Sequence, residues 1–155
     1  MSLTQGDAAP DFTLPTDGEG TITLTALKGD AVIIYFYPRD DTPGCTTEAL
    51  AFRDLKAEFA RAGARIIGVS KDSVKRHDKF KIKHDLNFTL ASDDSGAVCE
   101  AFGVWVEKNM YGRKYMGIER STFLIDKTGV VQEIWRKVRV KGHVEKVLDA
   151  AKALS

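Results

Sequence analysis

Two cysteines stand in this chain of 155 residues, far apart at positions 45 and 99. A small secreted scaffold held by disulfides carries more. That class is excluded, and at most one functional thiol pair remains. Long apolar runs are missing too. The longest, residues 31–37, falls far short of a bilayer-spanning helix. Residues 1–10 hold no basic stretch followed by an apolar one. No secretory signal is therefore expected, and the expected compartment is the cytoplasm. Neither sign of charge is in excess: 23 Lys and Arg face 22 Asp and Glu, a net charge of +1. Nucleic acid and anionic membrane are poor partners for such a balance. Three histidines, His77, His84 and His143, are scattered without cysteine or carboxylate at ligand spacing, so no metal is expected. There is no Gly-rich phosphate loop or dinucleotide fingerprint, and no cofactor is expected.

What is present is an ordinary globular balance, 43% hydrophobic and 29% charged, of a length that suits one domain over residues 1–155. Residues 11–14 and 21–27 read as short extended pieces around a turn at 17–20. Residues 31–37, AVIIYFY, are branched or aromatic throughout and predict a central strand buried on both faces. A loop over 38–44 leads into a helix over 43–61, with Phe52, Leu55 and Phe59 at helical spacing and Gly63 as its stop. Next come a strand over 65–69, a helix to His84 capped by Asp72 or Ser73, a short strand over 87–91 and a short helix over 95–102. Residues 112–117 read as an exposed loop. Strands over 121–126 and 130–136 form a hairpin through Lys127-Thr128-Gly129, and Val144, Val147, Leu148, Ala151 and Leu154 stripe a last helix. The pattern predicts an α/β fold with a central mixed sheet flanked by helices.

The chemistry concentrates at Cys45. A buried strand runs through a short Pro/Gly loop into a helix whose first turn holds Pro43, Gly44 and the cysteine. Free N–H groups and the helix dipole at such a start stabilise an anion. An ordinary free cysteine is only roughly 3% thiolate at pH 7. Full ionisation therefore gains about 30-fold, on the order of 2 kcal/mol, and a fast reaction needs further donors. Thr42, three residues before Cys45, offers a hydroxyl. Arg120, just before the strand over 121–126, offers a guanidinium. The blander readings are a core thiol at Cys45, a helix cap at Thr42, a strand end at Pro38 and a surface ion pair at Arg120. The basic residues Lys71, Lys75, Arg76, Lys79, Lys81 and Lys83 read as a solvated helix face. Phe102 and Trp105 read as core ahead of a peroxide-side apolar wall or a partner surface.

The run Pro38-Arg39-Asp40-Asp41-Thr42-Pro43-Gly44-Cys45 matches the peroxiredoxin motif P-x-x-x-T-x-x-C. Thr46-Thr47-Glu48-Ala49, Cys99-Glu100-Ala101-Phe102-Gly103-Val104-Trp105 and residues 117–126 (GIERSTFLID) resemble the bacterioferritin-comigratory (Bcp/PrxQ) subgroup. The resemblance extends from residues 6–12 to the last helix. It implies a thioredoxin-like fold with an N-terminal extension, and a thiol-dependent peroxidase acting on hydrogen peroxide and organic hydroperoxides. By the same resemblance Cys45 is the peroxidatic cysteine. Thr42 hydrogen-bonds sulfur and peroxide, Arg120 holds the thiolate and polarises the peroxide, and Pro38 shields the sulfur and shapes a narrow pocket. Glu48 orients Arg120. The implied reductant is thioredoxin, glutaredoxin/glutathione or another thiol, and the implied state is a monomer. A peroxide sensor or holdase using the same Cys45 chemistry is the alternative.

The chain departs from the subgroup at the resolving cysteine. Many members carry one five residues after the peroxidatic position; here Leu50 stands there, and residues 74–84 hold none. Either an external thiol resolves Cys45, the favoured reading, or Cys99 does so after local unwinding, since a disulfide needs Cα atoms within about 7 Å.

Overall fold

A computed structural model describes residues 3–155. Its framework is a mixed seven-stranded sheet. In chain order the strands are β1 (Thr13–Thr16), β2 (Gly20–Thr23), β3 (Ala31–Phe36), β4 (Ala64–Ser70), β5 (Thr89–Ser92), β8 (Ser121–Ile125) and β9 (Val131–Trp135), and across the sheet they run β2-β1-β5-β4-β3-β8-β9. The strands β3, β4 and β5 are parallel, joined by crossovers through α1 (Pro43–Arg61) and α2 (Val74–His84). The strands β8 and β9 add antiparallel on one side and the β1–β2 hairpin on the other. The helices α3 (Ala97–Ala101) and α4 (His143–Leu154) complete the set.

The apolar run of β3 divides its side chains between two cores, as the period of a strand demands. Ile33, Tyr35 and Tyr37 face one core with Cys45, Ala49, Phe52 and Phe59 of α1, Phe80 of α2 and Val144, Val147 and Leu148 of α4. Val32, Ile34 and Phe36 face the opposite core with Phe12, Cys99, Phe102, Val104 and Phe123. Both faces of the strand are therefore covered, which is why the run needs no polar alternation.

Helix α1 spans the expected residues. Pro43 occupies its first turn, where a missing N–H costs nothing. Gly63, at φ +77°, accepts the left-handed conformation that ends it. Ser73 caps α2 by accepting from the N–H of Arg76.

One expectation is overturned. Residues 112–117 are not a loop: β7 (Arg113–Ile118) pairs antiparallel with β6 (Trp105–Met110) in a separate two-stranded hairpin. Tyr111 and Gly112, both at positive φ, make the turn. The hairpin lies outside the main sheet and its tip is exposed. Its sequence therefore shows little of the apolar alternation by which strands are read.

Candidate active site

Burial along α1 falls on Cys45, Glu48, Ala49 and Phe52. Their spacing of three, four and seven residues is one helical face. Cys45 and Glu48 therefore look into the same space, one turn apart. The first bond of the helix runs from the N–H of Thr46 to the carbonyl of Thr42. The N–H groups of Gly44 and Cys45 precede it, so the sulfur sits at the positive end of the helix.

Arg120 reaches this space through strand register. Phe36, the last residue of β3, pairs with Ser121, the first of antiparallel β8. The residue before β8 is thereby set beside the strand end that launches the Cys45 loop. Arg120 Nη2 donates to Cys45 Sγ at 3.3 Å, and Nη1 donates to Glu48 Oε1 at 2.7 Å. One planar guanidinium thus bridges sulfur and carboxylate. Gly44 makes room for it, because a Cβ there would lie 3.2 Å from Nη2.

The electrostatics follow from burial. Glu48 is fully buried, and among the described residues its Oε2 has no partner. Burial pushes its carboxyl up to about 7, although Arg120 pulls the other way. Burial pulls Arg120 down, but Glu48 and Cys45 outweigh it and hold the guanidinium above its ordinary value. His143, at the start of α4, is pulled down to about 4, first by burial and then by the charge of Arg120. Its Nε2 is 2.8 Å from the Thr122 hydroxyl.

The other expected residues are placed as follows. Thr42 lies at the helix start, but its hydroxyl donates to the Arg39 carbonyl at 3.0 Å and makes no cap bond. It forms no hydrogen bond to Cys45 in this arrangement. Pro38 is exposed. With Arg39 and Thr42 it lines one wall of an open groove of about 770 Å³, which Cys45 itself does not line. Cys99 lies across the sheet, in the opposite core from Cys45. Its sulfur is buried, and its thiol is pushed up by burial and by the nearby Asp93 carboxylate. Both cysteines are free.

Sequence reasoning missed three features. Lys108, on β6, lies close enough to Arg120 and Cys45 to feel both charges. Burial and Arg120 lower its ammonium. Trp105, half-buried against the second core, also lines the groove, and Lys71 stacks 4.4 Å from its ring centroid. His77 does have carboxylate neighbours. Its Nδ1 lies 2.6 Å from an Asp40 carboxylate oxygen and its Nε2 3.0 Å from the Ala91 carbonyl, while Asp40 also accepts from the Tyr37 hydroxyl. The backbone N–H of Asp40 donates to Asp72. These bonds account for the grouping of Asp40, Asp72 and His77. Residues 40 and 77 meet only because α2 packs against the Cys45 loop, which no local spacing records. Among the described residues, no helix is long and apolar enough to cross a membrane.

Known proteins share this arrangement of elements. The AhpC/TSA family model matches residues 5–134. The peroxiredoxin Bcp of Bacillus subtilis is 52% identical over 155 residues, covering 100% of this chain and 99% of its own. The peroxiredoxin Bcp of Xanthomonas campestris is 54% identical over 143 residues, 92% of this chain and 89% of its own. A Xanthomonas campestris bacterioferritin comigratory protein, solved in trapped intermediate and ligand complexes bearing on alkyl peroxide reduction, superposes with a TM-score of 0.91. It is 50% identical, with 99% of this chain and 98% of that one covered. A likeness of that extent, continuous from the first hairpin to the last helix, shows the lineage: the chain belongs to the AhpC/TSA family, as a thiol-dependent peroxidase of the Bcp/PrxQ peroxiredoxins with their thioredoxin-like fold.

Proposed function

We propose that Cys45 is the peroxidatic nucleophile, that Arg120 is its electrostatic partner and that Glu48 positions Arg120. Hydrogen peroxide and organic hydroperoxides are the substrates. The sulfur attacks the nearer peroxide oxygen in line. The O–O bond breaks, the S–O bond forms, and water or an alcohol leaves after taking a proton, so that Cys45 becomes a sulfenic acid. Negative charge builds on the departing oxygen as the bond stretches, and fixed donors at that oxygen lower the barrier. Pro38 and Thr42 form the wall past which the peroxide enters, and the Thr42 hydroxyl turns from the Arg39 carbonyl to the bound peroxide.

The observation that carries this reading is the bridge made by Arg120, 3.3 Å from Sγ on one arm and 2.7 Å from Glu48 on the other. A guanidinium without that carboxylate would keep its rotamer freedom; with it, the second arm is aimed. The separation of Cys99 from Cys45 favours resolution by an external thiol such as thioredoxin, glutaredoxin or glutathione. Two unpaired thiols fit a reducing compartment, the cytoplasm. One chain suffices to bring Cys45, Arg120 and Glu48 together, and the acting unit in this reading is a monomer.

The test is peroxide consumption with dithiothreitol as reductant. Cys45→Ser abolishes it, and Arg120→Ala slows it by about 100-fold or more. A Cys45→Ser variant that keeps more than about half the rate overturns the assignment.

A further inference from the structure

The groove lined by Pro38 and Thr42, at the start of the helix that carries Cys45, holds more charge than a peroxide requires. Its walls are the loop from Pro38 to Thr42, the start of α2 and the β6–β7 hairpin. Four cations line it, Arg39, Lys71, Arg76 and Lys108, against one carboxylate, Asp72. Asp72 is already committed. Its Oδ2 accepts from the Asp40 N–H and the Ser70 hydroxyl, and its Oδ1 pairs with Arg76. Among the described residues, Arg39, Lys71 and Lys108 have no carboxylate partner. What sets the groove apart is the ratio of four cations to one carboxylate within a single lining. In a chain of net charge +1, this local excess marks a place that receives an anion.

We propose that the groove seats the reducing thiol, and that the thiol it selects is a small molecule bearing carboxylates. This rests on the reading of Cys45 as the peroxidatic residue. A peroxide group has two oxygens, whereas a groove of about 770 Å³ holds a whole small organic molecule. No second thiol lies on the Cys45 side of the sheet, so the resolving sulfur enters from outside. The incoming thiolate attacks the Cys45 sulfur. An S–S bond forms, the S–O bond breaks, and hydroxide leaves and is protonated to water. A second molecule of the same thiol then attacks the sulfur of the first. It releases Cys45 and leaves a disulfide of the small thiol, so two thiols are oxidised for each peroxide reduced. Arg39 and Lys71 anchor the carboxylates during both exchanges, and the Trp105 ring floors the groove.

The test separates the two half-reactions. Wild-type protein is oxidised with one equivalent of hydrogen peroxide, and resolution is then timed with four thiols: mercaptosuccinate, glutathione, uncharged 2-mercaptoethanol and cationic cysteamine. The same series is run on Arg39→Gln/Lys71→Met, in which the methionine keeps the stem over Trp105. The wild-type-to-variant ratio cancels each thiol's own nucleophilicity. Mercaptosuccinate and glutathione should slow on the order of tenfold in the variant, 2-mercaptoethanol by less than about twofold, and cysteamine should speed up. Equal ratios for all four overturn the proposal. So does a wild type resolved only by a redox protein, or a variant impaired instead in oxidation by a carboxylated hydroperoxide. A wild type whose Cys45 is not oxidised in the first phase removes the parent assignment before any thiol is added.

Discussion

The guanidinium of Arg120 occupies the space that a side chain on Gly44 would need: a Cβ there would sit 3.2 Å from Nη2. Gly44 lies in the first turn of α1, where alanine is worth up to about 1 kcal/mol more than glycine. Gly44→Ala should therefore leave stability unchanged or raised while displacing Nη2 by a few tenths of an ångström. The expected result is a peroxide reaction slowed about three- to tenfold with an undiminished urea midpoint. A parallel loss of stability and rate would mean that the helix start itself is disturbed.

The two sulfurs lie in different cores, with the sheet between them. Cys99→Ala should leave turnover with an external thiol intact. After one equivalent of peroxide, wild-type protein should carry its oxidation on Cys45, as sulfenic acid or as an adduct with added thiol. An intramolecular Cys45–Cys99 disulfide in the mass spectrum would show that the chain unwinds far enough to carry one sulfur past the sheet.

Two buried groups give opposite slopes of stability against pH. Glu48 is raised to about 7 in the fold from an ordinary value of 4.5. The folded chain therefore holds that proton more tightly, and stability falls as pH rises from 4.5 through 7. His143 is lowered to about 4 from 6.5. The unfolded chain takes that proton first, and stability falls as pH drops from 6.5 toward 4. Over the shared window the two offset each other. Urea titrations between pH 4.5 and 7 should show Glu48→Gln more stable toward the upper end than wild type follows. His143→Gln should resist acid better than wild type does. Parallel pH curves for all three proteins would refute the assignment.

Asp40 ties the Cys45 loop to the rest of the molecule. It accepts from the Tyr37 hydroxyl, is hydrogen-bonded to the His77 ring and is itself buried. In Asp40→Asn an amide NH₂ replaces one carboxylate oxygen and faces the Tyr37 hydroxyl or the His77 ring, so one of the two buried bonds is lost and turned against its partner. The expected cost is on the order of 3 kcal/mol, read as a lowered urea midpoint, with faster proteolysis near residues 38–44.

Some of this architecture was open to inspection in the linear chain. The all-apolar run of β3, the Pro-Gly start of α1 and the stripe through Cys45, Ala49 and Phe52 are local patterns with local causes. The β6–β7 hairpin was not. Its exposed residues Met110, Tyr111, Tyr115 and Met116 break the alternation that burial imposes on a strand. Thr42 stands where expected, yet its hydroxyl serves the Arg39 carbonyl, a choice among nearby acceptors that spacing leaves open.

The order of residues by itself determined where the sulfur sits along the chain: at a helix start, one turn from an acidic side chain, after a strand buried on both faces. Periodicity and turn chemistry act over a few residues, so they can be read without a fold. Tertiary structure decided what meets that sulfur. The pairing of Phe36 with Ser121 brings Arg120 across from 75 positions away. The packing of α3 on the opposite face of the sheet sends Cys99 to the far core. The groove between the hairpin, the Pro38 loop and the start of α2 gathers Arg39, Lys71, Arg76 and Lys108. Each depends on strand register and on which face a side chain takes, and these are settled only when distant segments bury their apolar surfaces together.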